Sequence, residues 1–207
     1  MEIKLNAQSS IKIVSDKIIY FDPYLIKEET HDADYILITH DHYDHFDLDS
    51  INKISNEKTI VIIPDSMVRQ VFAKLNMQNV RGVLPNEEYN INGLIFNTIP
   101  SYNTNKDFHK KESKWVGYLV NIENQIIYVA GDTDITEENK QVKCDIAFVP
   151  IGGTYTMDYK EAAELINTIK PSQVIPIHYH TIVGTRENAE QFKELLADNI
   201  ECQIIME

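Results

Sequence analysis

Three of the chain's seven histidines fall within residues 40–45, interleaved with two aspartates: His40, Asp41, His42, Asp44 and His45. Neutral imidazoles and carboxylates are the donors that zinc, manganese and iron accept. His40 and His42 are two apart, so in extended backbone they project to the same side. Asp44 and His45 follow as the chain turns and could face a second ion. A solvated loop rich in His and Asp is the competing reading, but two further donors stand in the same kind of place. Asp132 follows the apolar Val129-Ala130 and one glycine, and His178 follows Ile175-Pro176-Ile177. Gly131-Asp132-Thr133 alone is a common turn, and His178 alone could be a core histidine. Three apolar runs that each end in an acid or an imidazole are more simply explained by strand ends converging on metal.

The elements that must position these donors are legible from periodicity. Short strands are expected at Ile3 to Leu5, Ser10 to Val14 and Lys17 to Phe21, the third ending at Asp22-Pro23 because proline cannot donate to a ladder. A buried strand at 35–38 delivers the histidine cluster. Asp47 can cap a helix over about 48–55, with Leu48, Ile51 and Ile54 inward. A β-branched strand at 59–63 precedes a helix over roughly 66–76, whose apolar stripe is Met67, Val71, Phe72 and Leu75. After a strand at 80–84, Asn92-Gly93 marks a hairpin between 87–92 and 94–99. Residues 100–114 form a polar stretch long enough to suggest a functional loop. A hairpin at 115–122 and 125–130 ends in Asp132, and a strand follows at 145–150. Asp158 and Glu161 form a capping box for a helix to about Ile169, stopped by Pro171. The strand at 173–177 ends at His178-Tyr179-His180, and a helix at 186–198 and a strand at 201–206 close the chain. This order of elements supports a mixed α/β fold.

The composition is that of a globular domain, with 43% hydrophobic and 25% charged residues, and one domain over residues 1–207 is expected. No apolar run approaches the length of a membrane helix, and the first residues lack a signal-like core, so a cytoplasmic location without membrane attachment is the default expectation. The net charge of −13 argues against a polymeric nucleic acid as partner and leaves a small, even anionic, substrate open. Cys144 and Cys202 form no metal-type pair and read as reduced structural residues. His31, in a polar connector, reads as solvent-exposed.

His40-Asp41-His42-Tyr43-Asp44-His45, preceded by Thr39 and a hydrophobic strand, resembles the His-x-His-x-Asp-His signature of the metallo-β-lactamase superfamily. That resemblance spans nearly the whole chain. It implies a four-layer αββα sandwich and two divalent ions, zinc above all, with manganese or iron also admitted by the donors. His40 and His42 would hold the first ion. Asp44, His45 and His178 would hold the second. Asp132 would bridge them, and Asp22 would support the ligands from behind. The family's third histidine for the first ion commonly sits in Pro-Ala-x-His. Here the place reads Pro100-Ser101-Tyr102-Asn103, and His109 is the only histidine between His45 and His178. A subgroup of hydrolases with Pro-Ala-Tyr-Asn…Phe-His-Pro-Lys…Gly-Tyr resembles residues 99–119, which points to His109; completion by Asn103 or water is the alternative. Gln8 stands where many relatives carry histidine, and a glutamine has no proton to exchange near neutral pH.

Within the superfamily the chain is similar to the compact branch that holds ascorbate-6-phosphate lactonase and N-acyl-phosphatidylethanolamine phospholipase D. The implied activity is hydrolysis of a small ester, lactone or phosphodiester by a metal-bridging hydroxide. Asp44, or Asp41 beside it if Asp44 is taken up as a ligand, would move the proton. His180, two residues beyond His178, would steady an anionic transition state or protonate the leaving group. A nucleotide phosphodiesterase or nuclease, or a non-catalytic metal-dependent binding module, are the alternatives. Oligomeric state is not legible.

Overall fold

The computed structural model describes residues 1–69, 71 and 79–206. Two sheets carry it. In the first, β1 (Glu2–Leu5), β2 (Ile11–Val14) and β3 (Ile18–Phe21) run antiparallel, and β4 (Tyr35–Leu37), β5 (Ile60–Pro64) and β6 (Val80–Val83) continue in parallel, in spatial order β1-β2-β3-β4-β5-β6. In the second, β7 (Glu88–Ile91), β8 (Leu94–Pro100), β9 (Val116–Ile122) and β10 (Gln125–Val129) run antiparallel. There β11 (Ile146–Pro150), β12 (Gln173–Ile177) and β13 (Glu201–Cys202) extend β10 in parallel.

Strand periodicity sorts the apolar side chains into three layers of core. Phe21, Leu37 and Ile62 point inward from the first sheet and meet Phe96, Tyr118, Val129, Phe148 and Ile175 of the second. Their neighbours Ile36, Ile38, Val61 and Ile63 point outward and are covered by Ile51 and Ile54 of α1 (Leu48–Ile54). On the far side, Tyr128, Ala147, Val149 and Val174 are covered by α2 (Tyr159–Ile169) through Ala162, Leu165 and Ile166, and by α3 (Arg186–Glu194) through Phe192. The result is the expected αββα sandwich. It also explains why β4, β5 and β11 are apolar at every position, since both faces of those strands are covered.

Local signals act as their chemistry requires. Asp47 caps α1, and Asp158 with Glu161 closes a full capping box on α2. Asn92 and Gly93 both take positive φ at the β7–β8 hairpin. Two expectations change. The last helix ends at Glu194 instead of 198, because Asn167 captures the chain there: its Nδ2 donates to Leu195 O and its Oδ1 accepts from Ala197 N, each at 2.9 Å. The last strand is only two residues long. Gln203 N still reaches Val174 O on β12, but Pro176, the next residue on that side, offers no N–H to extend the ladder. Of the helix expected at 66–76, a 3₁₀ turn at Asp65–Met67 leads into helical residues 68, 69 and 71, with Val71 buried as expected, while Phe72 and Leu75 lie outside the described residues.

Candidate metal centre

The site lies where β4, β8, β10 and β12 end. Tyr118, fully buried on β9, reaches across the sandwich to donate from its hydroxyl to Ile38 O at 2.7 Å, and Val116 N donates to Thr39 O at 3.2 Å. These two bonds clamp the end of β4 to the second sheet. Gly131 ends the β10 run in the left-handed region, at φ +66. A Cβ there would lie 3.0 Å from Thr39 Cβ and 3.1 Å from Ser101 Oγ, so the close approach that brings Asp132 to the histidine cluster requires glycine.

Asp132 is the centre. Its Oδ2 lies 3.0 Å from His178 Nε2, 3.2 Å from His109 Nε2 and 3.8 Å from His40 Nε2. Its Oδ1 lies 3.3 Å from His45 Nε2. Asp44 Oδ2 stands 3.6 Å from His45 Nε2 and 3.5 Å from His178 Nε2. His42 joins through Nδ1, which is 3.1 Å from His40 Nε2. Donor atoms within 4.8 Å of one another thus form two groups: His40, His42, His109 and Asp132, and Asp44, His45 and His178.

In His40, His45 and His109 the other ring nitrogen shows why the lone pair faces inward. Asp22 is wholly buried, and its Oδ2 accepts from His45 Nδ1 at 2.8 Å and from Thr39 Oγ1 at 2.7 Å, while its Oδ1 accepts from Thr39 N at 2.8 Å. Thr39 has a single hydroxyl proton and gives it to Asp22. Its oxygen therefore accepts from His40 Nδ1, at 2.9 Å, which leaves His40 Nε2 bare. Asn103 does the same for His109: its Oδ1 accepts from His109 N at 2.9 Å and from His109 Nδ1 at 3.0 Å, and its own N donates to His109 O at 2.7 Å. Partners of this kind fix ring orientation and tautomer in metal sites.

Burial sets the charges. Desolvation, with His45 nearby, pushes His40 well below the usual imidazole range, and desolvation beside His109 lowers His42. Burial also works against charge on His45 and His178, but the facing carboxylates win. Asp132 and Asp22 hold His45 well above its ordinary value, and Asp132 and Asp44 raise His178 to about 9. Burial would raise Asp132, yet His178 and His45 hold it well below the usual carboxylate range. Burial raises Asp22, against the pull of its donors.

A divalent metal fits this set. His45 Nε2, His109 Nε2 and Asp132 Oδ1 are buried at the centre without hydrogen-bond partners, and orphaned buried polar atoms are costly unless something binds them. The donor types are those of zinc, manganese or iron sites. An open cavity of about 240 Å³ lies over them, with His42, Asp44, Asp132 and His178 in its floor.

The sequence model for the beta-lactamase superfamily domain matches residues 4–178. The chain belongs to the β-lactamase superfamily. Among its relatives in that superfamily, a UPF0173 metal-dependent hydrolase of Methanosphaera stadtmanae is 34% identical, over 99% of this chain and 93% of the relative. One from Pyrococcus horikoshii is 29% identical, over 99% and 96%. Igni18, a metallo hydrolase of the archaeon Ignicoccus hospitalis, shares the fold at a TM-score of 0.77 and 21% identity, covering 99% of this chain and 95% of that one. A Parabacteroides distasonis crystal structure superposes at 0.83, with 24% identity over 99% and 93%.

Within this superfamily frame, the structure gathers His40, His42, Asp44, His45, His109, Asp132 and His178 in one place, with Asp22 directly behind. Asn103 does not enter the donor group; it orients His109. His180 is not brought in. His178 and His180 both adopt positive φ, at 57° and 70°, which breaks the strand alternation that would align them. Tyr179 is buried in the outer core and His180 is exposed, away from the cavity lining. Three residues here were not assigned these parts from sequence. Gln8, left-handed at φ 56 and fully buried, accepts from His178 N through its carbonyl at 2.9 Å and donates from Nε2 to Asp44 Oδ2 at 3.2 Å. Thr39 relays Asp22 to His40. Trp115 packs its ring against His40, His42 and His109, with centroids 5.0, 5.0 and 5.7 Å apart. Gln8 was visible only as an oddity of position, and no local motif marks an indole as a ligand's neighbour.

Proposed function

We propose that this chain is a metal-dependent hydrolase that holds two divalent ions, zinc being the best match to its donors, and cleaves a small ester, lactone or phosphodiester. The observation that carries this is the convergence of buried imidazole nitrogens, two of them without a hydrogen-bond partner, and Asp132 beneath an open cavity. Its UPF0173 relatives are metal-dependent hydrolases, which supports the same reading. Bound metal supplies a water acidified toward neutrality and polarises the group under attack.

The chain's own residues supply the rest. His40, His42 and His109 would hold one ion and Asp44, His45 and His178 the other, with Asp132 shared. Asp22, Thr39 and Asn103 keep the rings turned inward. Asp44 contacts Gln8, His45 and His178 through Oδ2 alone, which leaves Oδ1 to accept the proton of the attacking water. His178, Asp132 and Asp44 also wall the cavity floor, so a substrate is presented directly to the donors.

The test is metal content and turnover. Protein purified without chelator should carry divalent metal and hydrolyse members of a panel of lactones, carboxylic esters and bis-p-nitrophenyl phosphate. It should lose activity on chelation and regain it with zinc or manganese. A metal stoichiometry near zero, unmoved by added zinc or manganese, overturns the proposal.

A further inference from the structure

Above its polar floor the cavity changes character. Its walls are Tyr43, Phe108, Tyr155 and Ile182, and among the described residues its lining contains no lysine or arginine. Of the eight large hydrophobics exposed among the described residues, Tyr43 (66%), Phe108 (48%) and Ile182 (36%) line this one opening. Scattered exposed apolar residues need no explanation, but a cluster at a cavity mouth marks a binding surface.

The rim is tied to the floor by sequence. Tyr43 lies between His42 and Asp44, Phe108 directly precedes His109, and Ile182 follows His178 by one short turn. In each case the segment that sends a donor inward leaves an apolar neighbour at the mouth. The rim is also preformed. Phe108 meets Tyr155 edge-on, with centroids 4.8 Å apart at 88°, and Tyr43 meets Tyr24 at 6.1 Å and 72°. Asn103, which orients His109, also donates to Tyr155 O at 2.9 Å, so one side chain ties a donor and a wall together.

Two lysines of the loop that carries Phe108 are paired with acids outside the cavity lining. Lys106 pairs with Asp134 at 2.6 Å, and Lys111 pairs with Glu138 at 2.8 Å. A phosphomonoester would set two negative charges beside the two carboxylates of the floor, with bound metal and His178 alone to offset them and no cation from the rim. An uncharged acyl chain instead gains contact with four apolar walls. A cavity of about 240 Å³ gives walled contact to a short acyl chain.

We infer that the cavity selects an uncharged carboxylic ester or lactone with a short apolar acyl group, held by Phe108, Ile182, Tyr43 and Tyr155. This rests on the hydrolase reading above and narrows it. The reaction balances simply: water adds its oxygen to the carbonyl carbon, the carbon–oxygen bond to the alcohol breaks, and the alcohol leaves with a proton from that water.

Two measurements test it separately from hydrolysis itself. The first is calorimetric binding of acetohydroxamate, hexanohydroxamate and phenyl phosphate to the zinc-loaded protein. Hexanohydroxamate should bind at least about tenfold tighter than acetohydroxamate, as burial of added methylenes in an apolar pocket requires. Phenyl phosphate should be the weakest of the three. In Phe108→Ser with Ile182→Ser, at unchanged metal content, the gap between the two hydroxamates should collapse. The second is kcat/KM for p-nitrophenyl acetate against p-nitrophenyl hexanoate. Turnover with no chain-length preference, or tighter binding of phenyl phosphate, overturns this inference and leaves the hydrolase reading standing. A hydroxamate gap that the rim variants abolish, without turnover of any ester, supports the apolar selection while the hydrolase reading fails.

Discussion

The two halves of the metal centre use the same donor types and differ in the charge they carry before metal arrives. His40 and His42 are surrounded by other imidazoles and share one carboxylate, so burial keeps them neutral. His45 and His178 face Asp22, Asp132 and Asp44, and those carboxylates hold protons on them against the cost of burial. The ratio of carboxylates to imidazoles separates the halves more than burial does, since His40 is as buried as His45 and His178, with His42 partly so. The first half is ready to bind a cation as it stands. The second must give up protons to do so.

The largest effect should come from the residue the halves share. Asp132→Ala should abolish the binding of both ions and reduce turnover to background. It should also cost the metal-free protein about 3–5 kcal/mol, because His45 and His178 lose a buried counter-charge. Metal analysis and thermal unfolding check both parts. His109→Ala should strip the first half and spare the second, and His178→Ala the reverse; equal, negligible losses from both would break the comparison. Next come the supports. Asp22→Ala touches His45 directly and His40 through Thr39, whereas Asn103→Ala touches His109 alone. Each should weaken metal binding by ~10–100-fold, Asn103→Ala only in the first half.

Smaller still is the effect of pH. The metal-free pKa of His178, raised to about 9 from 6.5, means its stabilising contribution is complete below pH 6.5 and is lost as pH climbs through about 9. The metal-free melting temperature should fall across that window. Zinc uptake by the second half should release protons and tighten as pH rises, read by calorimetry in buffers of different ionisation enthalpy. A melting temperature that climbs across the window would contradict the charge difference. His180→Ala should do least, leaving turnover unchanged and stability within about 0.5 kcal/mol, as for an exposed side chain.

Much of this was legible before any coordinates. Strand ends carry a local signature, an apolar run that stops at a donor, and His40, His42, Asp132 and His178 each follow such a run. The hairpin at Asn92-Gly93 and the capping box at Asp158 are equally local, since backbone conformation and one or two nearby hydrogen bonds decide them. His180 falls outside the donor group because alternation presumes extended backbone, whereas His178 and His180 take positive φ on either side of Tyr179, which packs into the outer core. Gln8, Asn103 and Thr39 escaped because their parts depend on hydrogen bonds closed by tertiary contact, from residue 8 to 178 in the first case. Resemblance pointed to His109, but its pairing with Asn103 explains why a histidine in a long polar loop can be as fixed as one on a strand.

Trp115 is the chain's only tryptophan, and its indole touches three rings of the first half while none of its ring contacts is to His45 or His178. Excited beyond the absorption band of its tyrosines, the protein therefore emits from one address within it. Indole fluorescence responds to the charge and ligation of rings against it, so filling the first half should alter the spectrum and filling the second should leave it nearly still. The molecule carries its own optical label for telling one cation from the other.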